Sequence, residues 1–272
     1  MQVVASKHHG LGNDFLVVDL DQDSSLGSRT DWADVARRWC DRRFGVGADG
    51  LLLLRDLGGD RLSMILHNAD GSRAEMSGNG IRCLVQAAHL ARRGSDGASY
   101  RVETDAGVRE VVVEGWSDSD TVQVVVDMGV IVDASEPERW ATLECHPDRP
   151  VRHLSLGNPH SVVGVDDVDA VDLLALGTRV PQVNLEIVEP GPETNAVTMR
   201  VHERGAGITL ACGTGACATA EAALAWGLVP ANADEVVVHM QGGDARVRID
   251  RDSRRATLIG PATFVASVTV HL

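Results

Sequence analysis

Aromatic residues are scarce in this 272-residue chain, at 3% of the total, with one tyrosine and three phenylalanines. Apolar residues nevertheless make up 44% of the chain. The length therefore suits two modest domains or one large one, with cores built mainly from Val, Leu, Ile and Ala. Lysine occurs once, as Lys7. A pyridoxal phosphate enzyme needs a lysine Schiff base, and Lys7 falls in the first predicted strand, outside any phosphate-binding loop, so that cofactor is not expected.

The sequence also argues against disulfide bonds, a metal site, a membrane association and a nucleic-acid partner. The five cysteines are odd in number and form no CxxC pair, which argues against a secreted disulfide framework. A zinc site built on Cys212 and Cys217 would match no common spacing, so no metal is predicted. The absence of a leader, and of any apolar run near the roughly 20 residues that cross a bilayer, predicts a cytoplasmic protein without a membrane partner. A net charge of −14 argues against a nucleic-acid partner.

A glycine-rich segment before a helical pattern carries the main chemical signal. Cys212 is followed by Gly-Thr-Gly and then by an alanine-rich stretch over residues 216–226, which predicts a helix beginning at this loop. Unpaired N–H groups and the dipole at a helix start bind anions such as carboxylates and lower the pKa of a thiol. Cys212 is thus a candidate nucleophile or proton carrier beside a carboxylate cradle. The alternative is a buried, inert cysteine.

The first half of the chain repeats this pattern. Ser77-Gly78-Asn79-Gly80 has the form of Cys212-Gly213-Thr214-Gly215, and a helical pattern follows both. Asn68 and Glu203 stand nine residues before Ser77 and Cys212, and a Leu-Gly-Asn turn occurs at residues 11–13 and again at 156–158. The offsets, 135 and 145 residues, are each near half the chain. A duplicated domain is the interpretation, and chance matching of glycine-rich loops is the alternative. A duplication lets two groups reach one carbon from opposite faces, as stereochemical inversion requires.

The predicted elements give an α+β fold: two pseudo-symmetric domains, each a β-barrel-like sheet wrapped around a central α-helix. Domain one is predicted over residues 1–118, completed by a C-terminal strand at 262–272, and domain two over 119–261. Residues 21–28 and 135–150 are predicted as loops, and helices are predicted at about 30–43, 84–93, 171–176 and 216–226. Strands are predicted at 3–6, 15–20, 51–55, 62–67, 101–104, 109–114, 122–127, 152–155, 161–165, 183–188, 197–202, 236–240, 246–249, 256–259 and 264–270.

Seven short segments together resemble one protein family, diaminopimelate epimerase, in that family's order and over nearly the whole chain. They are Gly-Leu-Gly-Asn-Asp-Phe (10–15), Gly-Val-Gly-Ala-Asp-Gly (45–50), Asn-Ala-Asp-Gly-Ser (68–72), Gly-Asn-Gly-Ile-Arg-Cys (78–83), Gly-Asn-Pro-His (157–160), Glu-Arg-Gly-Ala-Gly (203–207) and Ala-Cys-Gly-Thr-Gly-Ala-Cys (211–217). The resemblance implies a site between the two domains. It also implies cofactor-free interconversion of LL- and meso-diaminopimelate, on the route to lysine and peptidoglycan.

The resemblance also assigns roles to individual residues. It implies that Cys212 is one catalytic acid/base and that His160 and Glu203 tune the acid/base pair. The implied ligands of a small amino-acid substrate are the side chains of Asn13, Asn68, Asn158, Asn184, Glu203 and Arg204 and the backbone N–H groups of Gly78, Asn79, Gly213 and Thr214. For each asparagine the alternative is a turn residue.

Three positions depart from the family's pattern. Ser77 stands where the family has its other catalytic cysteine, and a serine hydroxyl is much less acidic and needs a neighbour's help as a base. Cys83 is the other nearby thiol, and the core-residue reading is favoured over a replacement base. Ile208 stands where the family usually has Glu. The family also implies a homodimer, but Ala266 replaces a tyrosine that can pack across it, which leaves the oligomeric state open.

Three hypotheses follow. The first is a diaminopimelate epimerase in which Ser77 and Cys212 are the acid/base positions and must face each other across one carbon centre. The second is a racemase or isomerase of another amino acid or related acid. The third is a catalytically impaired, ligand-binding homologue, which would be indifferent to loss of the Cys212 thiol.

Overall fold

The computed structural model describes residues 2–21, 26 and 30–272, so most of the loop predicted at residues 21–28 lies outside the described residues. The chain forms two compact units, Met1–Val126 with Gly260–Leu272, and Asp127–Ile259. Unit 1 contains α1 (Trp32–Trp39), α2 (Gly78–Arg92), β1 (Gln2–Gly10), β2 (Asn13–Asp19), β3 (Gly50–Gly58), β4 (Arg61–Asn68), β5 (Arg73–Ala74), β6 (Ser99–Thr104) and β7 (Gly107–Trp116). Unit 2 contains α3 (Leu173–Gly177), α4 (Gly213–Trp226), β9 (Val132–Asp133), β10 (Val151–Ser155), β11 (Pro159–Gly164), β12 (Asn184–Pro190), β13 (Ala196–Glu203), β14 (Gly207–Thr209), β15 (Val236–Met240) and β16 (Gly243–Ile249). Two further strands, β8 (Thr121–Val130) and β17 (Arg255–His271), cross the division.

In unit 1 the strands form a closed barrel around α2. Strand β2 pairs in parallel with β3 and β4 pairs in parallel with β6, whereas the remaining ladders are antiparallel. The second half of β17 pairs with β1, and the Phe264 N–H donates to the Asp120 carbonyl at 2.8 Å beside the start of β8. Helix α2 packs against β1, β2, β3, β4 and β7. The barrel therefore surrounds the helix, and closure leaves few edge groups unpaired.

Unit 2 repeats this order of strands. Strand β11 pairs in parallel with β12 and β13 with β15, and the intervening ladders are antiparallel. Helix α4 packs against β10, β11, β12, β13, β15 and β16. The two parallel pairs and the central helix fall at the same places as in unit 1. The predicted architecture, two pseudo-symmetric β-barrel-like domains around central helices, is confirmed.

The two central helices have matching ends. Ser77 and Cys212 are their N-caps, each in extended backbone with its side chain accepting from the backbone N–H three residues on. Arg93 and Gly227 are their C-caps, both left-handed, with φ of 51° and 74°. Helix α2 begins at Gly78, six residues before the predicted start, because the glycines of its first turn continue a helix that the Ser77 cap begins.

Smaller clusters cover the outer faces of the parallel strands. In unit 1, α1 places Trp39 in an apolar cluster with residues of β2 and β3. In unit 2, α3 and a 3₁₀ turn at Trp140–Leu143 cover β11 and β12 in the same way. The few aromatic residues thus include anchors of these outer layers. The two layers lie over the parallel strand pairs β2–β3 and β11–β12.

Besides the start of α2, three predicted elements differ from the structure. Helix α1 ends at Trp39, not near residue 43, because Asp41 accepts the backbone N–H groups of Arg43 and Phe44 in a tight turn. The 135–150 connection, predicted as a loop, contains the 3₁₀ turn Trp140–Leu143, in which Trp140 and Leu143 are buried. The strands predicted at 256–259 and 264–270 form the single strand β17, where buried Arg82 donates to the Pro261 carbonyl at the expected break. In the described part of the chain, no helix combines the length and apolarity needed to cross a membrane.

Candidate active site

Cys212 occupies the mouth of helix α4 in unit 2. Its sulfur accepts from the Gly215 N–H at 3.3 Å and lies 3.5 Å from the Thr214 hydroxyl oxygen. Only 4% of the residue is exposed. Cys212 therefore lies at a helix start with the Gly215 N–H and the Thr214 hydroxyl beside its sulfur.

The expectation that this position lowers the pKa of the thiol is wrong. Burial raises the pKa of the Cys212 thiol well above its usual value, and the carboxylates of Glu203 and Glu186 add to the rise, against the hydrogen bonds from Thr214 and Gly215. A thiolate has to be desolvated here and placed near two other acidic groups, and two neutral donors do not offset that cost. Cys212 is therefore a protonated thiol at neutral pH.

Ser77 holds the equivalent place in unit 1. It is half-buried, and its hydroxyl oxygen accepts from the Gly80 N–H at 3.1 Å. Leu52 lies beneath this loop, since a Cβ added to Gly80 would contact the Leu52 side chain at 3.5 Å. The capping geometry of Cys212 is thus reproduced with a hydroxyl, but above an apolar side chain.

Beneath the Cys212 loop lies a buried pair of titratable side chains. Strands β11 and β12 run in parallel with His160 aligned to Asn184, so Glu186 lies on the same face as His160. The His160 Nδ1 is 2.6 Å from the Glu186 Oε1, and both side chains are 0% exposed. Burial raises the pKa of the Glu186 carboxyl, although His160 acts to lower it. A Cβ on Gly215 would lie 2.8 Å from the same oxygen, so the pair lies directly under the α4 mouth.

The amides of unit 2 extend this network. The Asn158 side chain donates to the Thr214 hydroxyl at 3.2 Å, and its oxygen lies 3.1 Å from the His160 Nε2. Asn184 donates to the Pro159 carbonyl at 3.0 Å and accepts from the Arg204 N–H at 2.8 Å. The predicted residues Asn158, His160, Asn184, Thr214 and Cys212 are therefore linked through contacts on one side of the unit 2 barrel.

Glu203 and Arg204 lie at the end of β13. The Thr209 hydroxyl donates to the Glu203 carboxylate, and Glu203 is close enough to Cys212 to raise the pKa of its thiol. Arg204 is exposed. The nine-residue spacing from Glu203 to Cys212 corresponds to a hairpin, formed by β13 and β14, that turns back before the helix.

In unit 1 the amide of Asn13 is oriented by its neighbours. Asn13 donates to the Asp49 carboxylate at 2.8 Å and accepts from the Asn79 side chain at 3.1 Å. Arg42 binds Asp49 at 2.7 Å and Asp14 at 2.6 Å. Ion pairs on both sides thus hold the first Leu-Gly-Asn turn and leave the Asn13 amide in one orientation.

Asn68 and Cys83 have simpler surroundings. Asn68 is exposed and donates to the Ser72 hydroxyl at 3.0 Å across a tight turn, so its contacts are those of a turn residue. Cys83 lies fully inside α2, where burial raises the pKa of its thiol to about 12. The interpretation of Cys83 as a core residue is confirmed. Over residues 2–21, 26 and 30–272, no group of three or more His, Cys, Asp or Glu side chains is placed to hold a metal ion.

Sequence reasoning missed Glu186 and Asp49. The signal for Glu186 was present, because a single acidic residue interrupts the apolar run Leu185, Ile187, Val188 within a predicted strand, and it stands two residues after Asn184, on the same strand face. Asp49 lies in the Gly-Val-Gly-Ala-Asp-Gly segment, where nothing local indicates that it reaches Asn13.

Comparison with known proteins agrees with this arrangement. The profile of the family described as diaminopimelate epimerase matches residues 5–132 and 153–265. Diaminopimelate epimerase from Thermosynechococcus vestitus is 40% identical over 99% of this chain and 100% of its own length. The Nitrosomonas europaea enzyme of the same name is 36% identical over 100% of both chains.

Solved structures with much lower identity share the fold. A predicted epimerase from Pseudomonas aeruginosa superposes with a TM-score of 0.75 at 13% identity, over 99% of both chains. A hydroxyproline epimerase from Agrobacterium vitis superposes with a TM-score of 0.69 at 17% identity, over 100% of this chain and 93% of its own. With the family profile covering most of both units and full-length relatives at this level of identity, the chain belongs to the diaminopimelate epimerase family.

Proposed function

We propose that the protein is a cofactor-independent isomerase that interconverts LL- and meso-diaminopimelate, a step toward lysine and peptidoglycan. Cys212 and Ser77 are its acid/base residues: one removes the α-proton of the substrate and the other returns a proton to the opposite face. The observation that carries the proposal is the equivalent placement of Ser77 and Cys212. Each caps the central helix of its unit, in a chain that matches an epimerase family over nearly its full length.

The helix starts supply the electrostatic part of the reaction. Loss of an α-proton places negative charge on the substrate carboxylate, and the N–H groups of Gly78, Asn79, Gly213 and Thr214 are the proposed donors to it. Asn13, Asn68, Asn158, Asn184, Glu203 and Arg204 are the proposed ligands for the rest of the amino acid. His160 and Glu203 are proposed to tune the acid/base pair, because Glu203 lies close enough to Cys212 to shift the pKa of its thiol.

The different acidities of a serine hydroxyl and a buried thiol suggest which residue acts as the acid and which as the base. A serine hydroxyl gives up a proton to a carbanion more readily than it takes one from a carbon acid at neutral pH. In the step where Ser77 is the acid, the Cys212 thiolate is the base. Since burial keeps Cys212 protonated at neutral pH, the rate should rise with pH as the thiolate forms.

Proton exchange in deuterated water is the direct test. LL- and meso-diaminopimelate are incubated separately with the protein, and deuterium at the α-carbon is followed by mass spectrometry together with the appearance of the other isomer. We expect deuterium in the product from both starting isomers. Absence of exchange from either would overturn the proposal.

Two substitutions test the assigned pair. Ser77→Cys should raise the rate by up to about 100-fold, the lower part of the range for one well-placed acid/base group. Cys212→Ala should lower it by about 100- to 10,000-fold. An unchanged rate in Ser77→Cys would remove Ser77 from the proton path, and an unchanged rate in Cys212→Ala would remove Cys212.

Another amino acid or related acid is the second candidate substrate. Ile208 favours it, because this side chain is 37% exposed on the hairpin that precedes Cys212, where an apolar group can alter substrate preference. Exchange measured over a panel of amino acids separates the two candidates. A third outcome, ligand binding without exchange and without sensitivity to Cys212→Ala, would identify a non-catalytic homologue.

A further inference from the structure

Glu186 is an acidic side chain in a place that acidic side chains rarely occupy. It points from the middle of β12 toward helix α4 and is completely buried. One carboxyl oxygen, Oε1, lies 2.6 Å from the His160 Nδ1. The other, Oε2, has no hydrogen-bond partner among the residues that the structure describes. Burying a carboxyl with one oxygen unpaired costs stability, so a benefit other than stability should explain its presence.

The pair lies at the start of a chain of hydrogen bonds that ends at Cys212. The His160 Nε2 faces the Asn158 amide oxygen at 3.1 Å, an acceptor, so Nε2 carries a hydrogen. The Asn158 amide nitrogen then donates to the Thr214 hydroxyl oxygen at 3.2 Å. The Thr214 hydroxyl lies 3.5 Å from the Cys212 sulfur and can donate its hydrogen to the thiolate when that forms. With the hydrogen on the His160 Nε2, the Asn158 oxygen faces His160 and the Asn158 amide nitrogen faces Thr214.

The first half of the chain shows that the fold does not need the pair. In unit 1, Phe15 and Leu52 hold the places of His160 and Glu186: β2 is aligned with β3 as β11 is with β12. Leu52 approaches Gly80 beneath Ser77 as Glu186 approaches Gly215 beneath Cys212. Buried ion pairs are often no more stabilising than apolar residues of similar volume. The barrel therefore accepts Phe and Leu at these places, and the His–Glu pair accompanies the thiol.

We propose that Glu186 is a positioning residue for Cys212: a proton shared between its carboxyl group and the His160 Nδ1 leaves the other imidazole hydrogen on Nε2, and this orients the Asn158 amide so that the Thr214 hydroxyl donates to the sulfur. The donor stabilises the thiolate that acts as the base. Without Glu186 the other tautomer of His160 becomes accessible. The Asn158 amide then turns to donate to Nε2, and its oxygen takes the Thr214 hydrogen from the sulfur. This proposal rests on the proposed function only for its effect on reaction rate.

Two variants separate positioning from charge. Glu186→Gln and Glu186→Leu both remove the carboxyl group, but the glutamine amide can donate to the His160 Nδ1 and so keep the hydrogen on Nε2, whereas leucine offers no partner. The difference between the two variants therefore reports the hydrogen-bonded chain alone. Glu193→Gln is the matched control, because Glu193 is also paired with a histidine, His239 at 2.8 Å, but on the surface of the same unit.

Three measurements are made on the full chain. The nitrogen chemical shifts of ¹⁵N-labelled histidine report the His160 tautomer, iodoacetamide reaction against pH reports the Cys212 thiolate, and deuterium exchange at the α-carbon reports turnover. We expect Glu186→Gln to keep the Nε2–H tautomer and a rate near that of the parent. Glu186→Leu should mix the tautomers, move the Cys212 reaction to higher pH than in Glu186→Gln, and lower the exchange rate about 10- to 100-fold, the size of effect seen when the partner that orients a metal-binding histidine is lost. Glu193→Gln should match the parent throughout.

Equal behaviour of Glu186→Gln and Glu186→Leu in the tautomer and Cys212 measurements would overturn the positioning role. If Glu186→Leu does not fold, the double variant His160→Phe, Glu186→Leu, which copies unit 1, takes its place. In that variant, an exchange rate and a Cys212 pH profile equal to those of Glu186→Gln would overturn the role. If the parent protein exchanges no α-proton, the proposed function is wrong. The tautomer and alkylation measurements would still decide whether Glu186 positions Cys212.

Discussion

Cys212 combines a favourable helix start with an unfavourable electrostatic environment. Its sulfur accepts from the Gly215 N–H, yet burial and the carboxylates of Glu203 and Glu186 raise the pKa of the thiol. The helix end supplies a fraction of a charge at short range, whereas the loss of hydration affects the whole thiolate. The resting side chain is therefore a protonated thiol that can act as an acid. It can act as a base only when hydrogen-bond donors stabilise the thiolate sulfur.

This balance predicts slow alkylation of Cys212 at neutral pH. The rate with iodoacetamide should rise continuously from pH 6 to pH 9, because the raised pKa leaves the thiolate fraction growing through that range. Mass spectrometry of the Cys212 peptide measures the rate, and Cys145, which is half-buried, provides an internal comparison that should react faster. A plateau below pH 7 would indicate a stabilised thiolate and contradict the prediction.

His8 predicts how stability responds to acid. It is buried between Gln86 and Ser6, and burial lowers the pKa of its imidazole from 6.5 to about 4. Between these values the unfolded chain binds a proton that the folded chain does not. The free energy of unfolding should therefore fall as pH drops from 6.5 to 4, by up to about 3 kcal/mol from this residue.

Urea unfolding at pH 7 and pH 4.5 measures this effect. His8→Asn should show a smaller drop between the two pH values than the parent, whatever its stability at pH 7. His146→Gln, at an exposed position, should show the same drop as the parent. An equal drop in His8→Asn and the parent would mean that His8 is not the source.

At the scale of elements, the first turns of α2 and α4 differ in what lies beneath them. A Cβ on Gly80 would meet the Ser77 side chain at 3.1 Å and Leu52 at 3.5 Å, whereas a Cβ on Gly215 would meet the Glu186 carboxylate at 2.8 Å. Leucine is apolar and can shift slightly. The Glu186 carboxyl group is held by His160, so it can move only by giving up that contact.

Matched alanine substitutions should therefore have unequal effects. Gly80→Ala should be near neutral, because the better helix propensity of alanine, worth about 1 kcal/mol, offsets modest crowding. Gly215→Ala should lower the melting temperature and disturb the His160 tautomer signal. Thermal unfolding, monitored by circular dichroism, compares the two variants. Equal melting temperatures would show that the His160–Glu186 pair moves aside without loss of stability.

At the scale of the whole molecule, unit 1 is built from two separate stretches of the chain, and β8 and β17 are the strands at which the chain leaves and re-enters it. Gly260–Leu272 belongs to the unit that begins the chain, and β17 pairs with β1 over Gln2–His9. Removal of residues 262–272 should leave β1 without that partner and open the barrel around α2. We expect the truncated chain to lose stability strongly in denaturant unfolding, and a melting curve like that of the full chain would contradict this.

The homodimer implied by the family stays a prediction. Sedimentation velocity on the parent and on Ala266→Tyr tests it directly. A larger dimer fraction in Ala266→Tyr would indicate that residue 266 lies in the interface. A monomeric parent whose state does not change with the substitution would count against the dimer.

Features that depend on neighbouring residues could be interpreted from the amino-acid order alone. Capped helix starts at Ser77 and Cys212, the Leu-Gly-Asn turns, the duplication and the central helices all arise from contacts within a few residues, or from a repeat visible along the chain. The family resemblance depended on the same short segments. Errors at this level were ones of extent, such as the end of α1, where the capping contacts of Asp41 stopped a pattern that otherwise continued.

Features that depend on which strands become neighbours could not be read in this way. Glu186 meets His160 only because β11 and β12 pair in parallel with one register, and Asp49 reaches Asn13 across 36 positions of sequence. The upward shift of the Cys212 pKa likewise follows from the burial of the thiol and from the acidic side chains of Glu203 and Glu186 that the folded barrel places near it. Pairing, burial and electrostatic environment are properties of the folded chain, because they arise from groups distant in sequence that meet only when both barrels close.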